Sequence, residues 1–427
     1  MEKHDRHTRY AWRCLILFSL LYMSLYCCRL NLGNAAAVMM DDLGWTAKDI
    51  GILTSALFWA YGIGQLVNGR LSEIAGPGKF IVLAALLSPA CNLLMPLQTN
   101  LAVMAVLWAC NGYFQSMAWA PGLTLLSGWW PKNRHGFAAG FANAFSGFGQ
   151  ALCMVTTAAS LSLLPSLGWR SCFLLPAAVP LLTLVFYKLL VKETPSDAGL
   201  PVLADDDPET AENEAQMKAI VQEKGALYPF VYLLKIRRFR AWLVILFLSG
   251  VIRYGMMTWI PLYFSDRFGF DVQAGLFQSL AFPVGMGIGT FVLPVLTDRL
   301  CPHDRLPAVI VCGAVLAGSV AAFFRLDPSA AAGPVLISLV LFLAGFAVYA
   351  IIGCAFSYAC DIGGSTFTAT AAGILDFSVY MGAAVQSIVY GFFLKAMGWG
   401  MVFASIAAMS LVILLIAAKN KTNSAKR

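Results

Sequence analysis

Apolar runs of about twenty residues, the length a helix needs to cross a bilayer, recur along nearly the whole chain. No fold in water could hide so many. In lipid, peptide groups must bond to one another, so only helices or closed barrels can span. The runs are too long and too continuous for the alternating strands of a barrel. The expected fold is therefore an all-α membrane protein, with helices near 13–39, 48–68, 79–97, 100–130, 136–164, 170–191, 239–263, 273–297, 307–325, 332–360, 367–394 and 398–418. Charge agrees: 12% of the residues are charged, about half the roughly 25% of a soluble protein.

The net charge of +7 would suit nucleic acid if it were gathered on one face, but it alternates between segments. Arg6, Arg9, Arg13, Arg70, Lys79, Arg134, Arg299, Arg305, Lys419 and Lys421 fall on one side, against Lys48, Arg170, Arg267 and Arg325 on the other. The positive-inside rule then makes both termini and the central linker cytoplasmic, in a bacterial inner membrane, with an even number of spans. A nucleic-acid partner is not expected, and the chain is read as a monomer in the lipid bilayer. The first apolar run lacks a small-residue cleavage site and reads as a first helix. Most of the eleven cysteines sit inside apolar helices, among them Cys91, Cys110, Cys153, Cys172, Cys312 and Cys354, and read as small hydrophobes. All four histidines, His4, His7, His135 and His303, read as lying in loops or at the chain start. No metal-ligand spacing and no nucleophile–base constellation is present, so neither a metal, a cofactor nor an enzyme is expected.

The chain is also written twice, at an offset of about 225 residues. Leu43-Gly44-Trp45 returns as Phe268-Gly269-Phe270, and Gly62-Ile63-Gly64 as Gly287-Ile288-Gly289. The end of the second helix, Gly69 to Glu73, returns as Pro294 to Asp298. Ala138-Ala139-Gly140 returns as Ala371-Ala372-Gly373, and Gly168-Trp169 with Phe173 as Gly398-Trp399 with Phe403. The expected organisation is a six-helix half over 1–191, a linker over 192–238 and a second six-helix half over 239–427. Such repeats imply a transport path where the halves meet, worked by their rocking. The linker carries Asp205-Asp206-Asp207, Glu209, Glu212 and Glu214, then Lys235, Arg237, Arg238 and Arg240, and reads as a solvated tether with a basic membrane-surface helix.

Arg29 lies deep in the first helix and Arg253 deep in the seventh, 224 residues on. An arginine at the bilayer centre costs at least about 2.5–3.5 kcal/mol. Guanidinium keeps its proton, and its fork matches phosphate and carboxylate. The pair reads as an anion clamp, with a buried structural ion pair as the alternative. That alternative needs acids, and Asp376 is the one carboxylate well inside a span; Glu73 and Asp298 sit at helix ends. Two arginines against one acid leave excess positive charge, which an anionic substrate would balance.

Other polar residues fall on single helix faces: Tyr22 and Tyr26 with Arg29; Tyr61, Gln65 and Asn68; Gln115 and Trp119; Asn143, Ser146 and Gln150; Asp376 and Tyr380. For the uncharged ones, substrate contact and interhelical hydrogen bonding stand as equal readings.

These residues resemble the major facilitator superfamily, and within it the organophosphate:inorganic phosphate antiporter family, which includes bacterial glycerol-3-phosphate and hexose-phosphate transporters. The resemblance runs over nearly the whole chain. It rests on Gly69-Arg70-Leu71-Ser72-Glu73, on Tyr22, Tyr26 and Arg29, on Gln115 with Trp119-Ala120-Pro121, on Trp129-Trp130, and on Arg253-Tyr254-Gly255 with Trp259, Pro261 and Tyr263. It implies a fold of twelve helices in two pseudo-symmetric halves, alternating access, and phosphate binding by Arg29 and Arg253. Tyr22, Tyr26, Gln65, Gln115, Trp119, Asn143, Ser146, Tyr254 and Tyr380 would line the substrate site, and Glu73 and Asp298 would gate it by pairing with basic residues or helix termini across the two halves. Where the glycerol-3-phosphate transporter has lysine, histidine and glycine, this chain has Gln65, Ser146 and Asp376.

Three functions fit. The first is a secondary transporter of a small organic anion, exchanged for inorganic phosphate. The second is a proton-coupled organic anion symporter in which Asp376 carries the proton. The third is a membrane sensor of a phosphorylated metabolite.

Overall fold

The computed structural model describes residues 2–201, 219–225, 227–269, 278–301, 304–327 and 333–421. The linker acids Asp205 to Glu214, Phe270, His303 and residues 273–277 of the eighth expected helix lie outside them, as do the side chains of His4 and Pro261. Among the described residues, all regular structure is helical.

Twelve helices are long and apolar enough to cross a membrane, and they serve below as spans 1 to 12. They are Asp5–Ala36, Lys48–Ala75, Pro77–Leu97, Leu101–Trp129, His135–Leu163, Pro165–Leu190, Arg237–Ile260, Ala281–Leu300, Leu306–Arg325, Gly333–Gly363, Phe367–Gln386 and Ala396–Asn420. Their ends are set by local chemistry. Gly44, in the left-handed region at φ 66°, ends the helix Cys27–Leu43. Thr46 and Asp49 then form a capping box that starts span 2, with the Thr46 amide donating to Asp49 Oδ2 at 2.8 Å. Asn100 Oδ1 accepts from the amides of Ala102 and Val103 and starts span 4. Pro77 opens span 3, where its missing N–H costs nothing.

Two sequence readings are corrected. The first expected helix is two helices, Glu2–Leu25 and Cys27–Leu43, joined at Tyr26. His135 is in no loop: it begins the helix His135–Leu163, is buried, and its Nε2 lies 3.1 Å from the Trp130 carbonyl.

The chain divides into two compact units, one of Met1–Tyr232 with Ala359–Phe377 and one of Leu233–Tyr358 with Ser378–Arg427. Span 11 contributes its first part to the first unit and its remainder to the second.

In the first unit, Trp108, Trp169 and Phe173 fill a core with Leu32, Met39, Leu53 and Leu57. Large apolar side chains such as Leu97 and Leu189 are 73% exposed, as they must be where lipid replaces water. Backbones approach closely at glycine: a methyl group at Gly112 on span 4 would collide with the Leu57 carbonyl of span 2. Gly69 and Gly373 do the same between span 2 and the first part of span 11.

The second unit repeats the design. Gly345 on span 10 faces the Phe282 carbonyl of span 8 as Gly112 faces that of Leu57. The Trp169 indole donates to Asp42 at 2.8 Å in the first unit, and the Trp399 indole to Asp266 at 2.6 Å in the second. Each tryptophan follows a glycine at positive φ, Gly168 at 52° and Gly398 at 72°. That turn delivers the indole to an acid near the end of a helix of its own unit, Cys27–Leu43 or Arg237–Phe268. The written repeat is thus a repeat of contacts.

Candidate functional site

Arg29 is 5% exposed in the first unit, just past the join in the first span. At that join the helical bonding tightens. The amides of Tyr26 and Arg29 donate three residues back, to the carbonyls of Met23 and Tyr26. The Leu25 carbonyl accepts instead from Gln115 Nε2 at 2.9 Å. The same Gln115 turns its Oε1 to Arg29 Nε at 2.7 Å. One amide side chain therefore serves both the backbone at the join and the guanidinium it presents.

Two tyrosine rings lie against that guanidinium, Tyr26 at 4.7 Å and Tyr61 at 4.4 Å from its carbon. A desolvated cation–π contact is worth about 2 kcal/mol. Two of them are comparable to the insertion cost of about 2.5–3.5 kcal/mol, so the rings offset much of the cost of burying the charge. Tyr22 extends the wall: its hydroxyl is 3.4 Å from that of Tyr26, and its ring lies 4.9 Å from Trp119.

Gln65, one turn beyond Tyr61, is fully buried, and neither of its amide atoms has a hydrogen-bond partner. Ser146 Oγ on span 5 is likewise buried and unpartnered. Such groups suit a polar ligand. Asn143 is buried one turn before Ser146. Asn68, read from sequence on the same face as Gln65, instead donates to Ser116 Oγ at 2.7 Å, an interhelical bond.

Asp376, 6% exposed, belongs to the same unit as Arg29. Glu73 accepts from the Thr370 amide at 2.6 Å and its hydroxyl at 2.7 Å, in the first turn of span 11, and pairs with Arg70 at 2.8 Å. A carboxylate there also meets the positive end of the helix dipole.

In the second unit Arg253 is 6% exposed, with the rings of Tyr254 at 4.6 Å and Tyr349 at 4.5 Å. Tyr380 lies 5.9 Å from Tyr254, ring to ring. Asp298 pairs with Arg305 at 2.7 Å, just before the next span of the same unit, where the sequence reading looks for a partner across the two halves.

Sequence reasoning missed several members. Tyr349 sits in an apolar run with no polar neighbour to mark a face. Ser88, Asn92 and Asn111 are buried polar residues in spans 3 and 4, and their presence in lipid-length helices was the signal. Tyr61 was placed on a polar face but not among the site residues.

The fold and these sites define a class: a helical membrane protein of twelve candidate spans, with a buried, tyrosine-flanked arginine in each repeat. The family model described as Major Facilitator Superfamily matches residues 16–387, and the chain belongs to that family. It is 26% identical to a probable hexose phosphate transport protein of Chlamydia muridarum, over 95% of this chain and 90% of that one. It is 24% identical to the glycerol-3-phosphate transporter of Bacillus subtilis, over 93% of this chain and 89% of that one. Among solved structures, the proton:xylose symporter XylE superposes with a TM-score of 0.74 over 98% of this chain and 97% of that one, at 15% identity. That likeness carries the fold.

Proposed function

We propose that the chain is a secondary active transporter that moves a small organic anion across the bacterial inner membrane by alternating access, in exchange for inorganic phosphate. The observation that carries this is the pair Arg29 and Arg253. Each is buried at the same place in its repeat with two tyrosine rings against it. Rings occupy the flat faces of a guanidinium and leave its N–H donors in the plane, the geometry that grips a phosphate or carboxylate. The named substrates of the curated relatives, hexose phosphates and glycerol 3-phosphate, support a phosphate ester or a related organic acid.

In this reading Arg29 and Arg253 hold the same anion. Tyr22, Tyr26, Gln65, Gln115, Trp119, Asn143, Ser146, Tyr254 and Tyr380 line the path, and Glu73 and Asp298 steady its closed state. The halves 1–191 and 239–427 rock about the site, with the linker and both termini cytoplasmic.

A second reading is favoured by the burial of Asp376 in the unit of Arg29. An arriving anion would compete with this carboxylate for the arginine and favour its protonation, linking anion uptake to proton uptake.

The test is uptake into proteoliposomes, offering labelled glycerol 3-phosphate and glucose 6-phosphate with and without internal phosphate and with and without a pH gradient. Exchange predicts uptake that needs internal phosphate and no gradient. Uptake that needs only the gradient selects the proton-coupled reading. Saturable binding without uptake under any condition would overturn transport and leave a sensor.

A further inference from the structure

We infer that Ser88 and Asn111 are positioning residues for Arg29, through a chain of amides that the repeat does not copy at the matching places of the second half. The inference rests on reading Arg29 as the anion ligand. Behind Gln115 lies a chain of hydrogen bonds across four spans, made entirely of fully buried side chains. Gln115 Nε2 donates to Ser88 Oγ at 2.9 Å, and Ser88 Oγ donates to Asn111 Oδ1 at 2.7 Å. Asn111 Nδ2 donates to the Cys28 carbonyl at 2.8 Å. Asn92 Nδ2 donates to the same carbonyl at 3.1 Å, and Asn31 Nδ2 ties Asn92 Oδ1 at 2.8 Å to the Cys172 carbonyl at 3.0 Å.

The network therefore grips the first span on both sides of the tightened turn, at Leu25 and at Cys28. It also fixes the rotation of the Gln115 amide. With Nε2 committed to Leu25 and Ser88, only Oε1 faces Arg29, which is the atom a guanidinium requires. A flipped amide would set donor against donor. Satisfied polar networks in low dielectric rigidify what they hold, so Arg29 arrives at the site already oriented.

The second half carries no amide side chain at the places that match Asn111 and Gln115. Gly112 and Gly345 make equivalent contacts. Counting from them, Asn111 and Gln115 correspond to Ala344 and Val348, whose side chains form no hydrogen bonds. The helix Arg237–Phe268 that carries Arg253 also runs without a break. Arg29 is then the member of the pair oriented through this amide chain.

The test needs no substrate, so a failed uptake screen would leave it standing. The purified protein is treated with phenylglyoxal, which modifies guanidinium groups, and the rates at Arg29 and Arg253 are read separately by mass spectrometry. Ser88→Ala removes one hydroxyl and leaves the packing, and Asn111→Ala removes the next link. Each should raise the Arg29 rate about fivefold, the loss of one net hydrogen bond, and leave the Arg253 rate unchanged. Ser88→Thr keeps the hydroxyl and should keep the wild-type rate. An unchanged Arg29 rate in both alanine variants, an equal rise at both arginines, or a Ser88→Thr rate matching Ser88→Ala would each overturn the inference.

Discussion

Arg29 and Arg253 show how a permanent charge is kept inside a membrane: tyrosine faces offset part of its desolvation, and the in-plane donors stay directed. The arginines were legible because their chemistry is costly in lipid and because the repeat doubles the signal. Tyr254 was legible beside Arg253 but Tyr349 was not, since it lies on a span 96 residues from Arg253 and is joined to it only by folding. Asp376 tests how the site balances charge. If exchange is the coupling, Asp376→Asn keeps phosphate-dependent uptake, and imposing a pH gradient on the variant changes nothing further. Loss of gradient-driven accumulation with retained exchange would instead assign Asp376 the proton. At the rim, Trp169 bonds to an acid half open to solvent, and Asp42 also pairs with Arg170. Trp169→Phe should therefore cost only about 1 kcal/mol, seen as a small fall in the thermal midpoint of the detergent-solubilised protein.

The spans themselves were readable, because crossing lipid demands a long apolar run, but some ends were not: the first begins at Asp5 rather than 13 and the second ends at Ala75 rather than 68. The join at Tyr26 was not. Its residues have helical dihedrals and no proline or glycine, so nothing local announces it. The cause is tertiary: Gln115 of span 4 and Asn111 beside it offer the carbonyls of Leu25 and Cys28 other partners. Polar side chains four spans wide thus reshape one helix, which periodicity cannot register. Glycine behaves in the opposite way, marking contacts that sequence shows only as small residues. Gly112→Leu and Gly345→Leu should each prevent the close approach of their helix pairs and abolish a monodisperse peak in size-exclusion chromatography. Overpacking costs at least about 1–3 kcal/mol where a backbone must move. Gly128→Leu, which meets open space, should elute as wild type.

For the whole molecule, the repeat in sequence is a repeat of contacts, and its departures carry the specialisation. Glu73 caps span 11, while the matching Asp298 pairs with Arg305 in its own unit. In the proposed cycle these bonds favour the state closed to the cytoplasm. Asp298→Asn should shift spin-label distances across the cytoplasmic face toward the longer, inward-open values, and unchanged distances would count against a gating role. The central claim is that one anion is held by both arginines through their planar forks. Lysine keeps the charge and loses the fork. The direct measurement is equilibrium binding of the anion identified by uptake, on purified Arg29→Lys and Arg253→Lys that elute as folded monodisperse protein. The account predicts that neither variant binds at concentrations that saturate the wild type. Wild-type affinity in either one would contradict it.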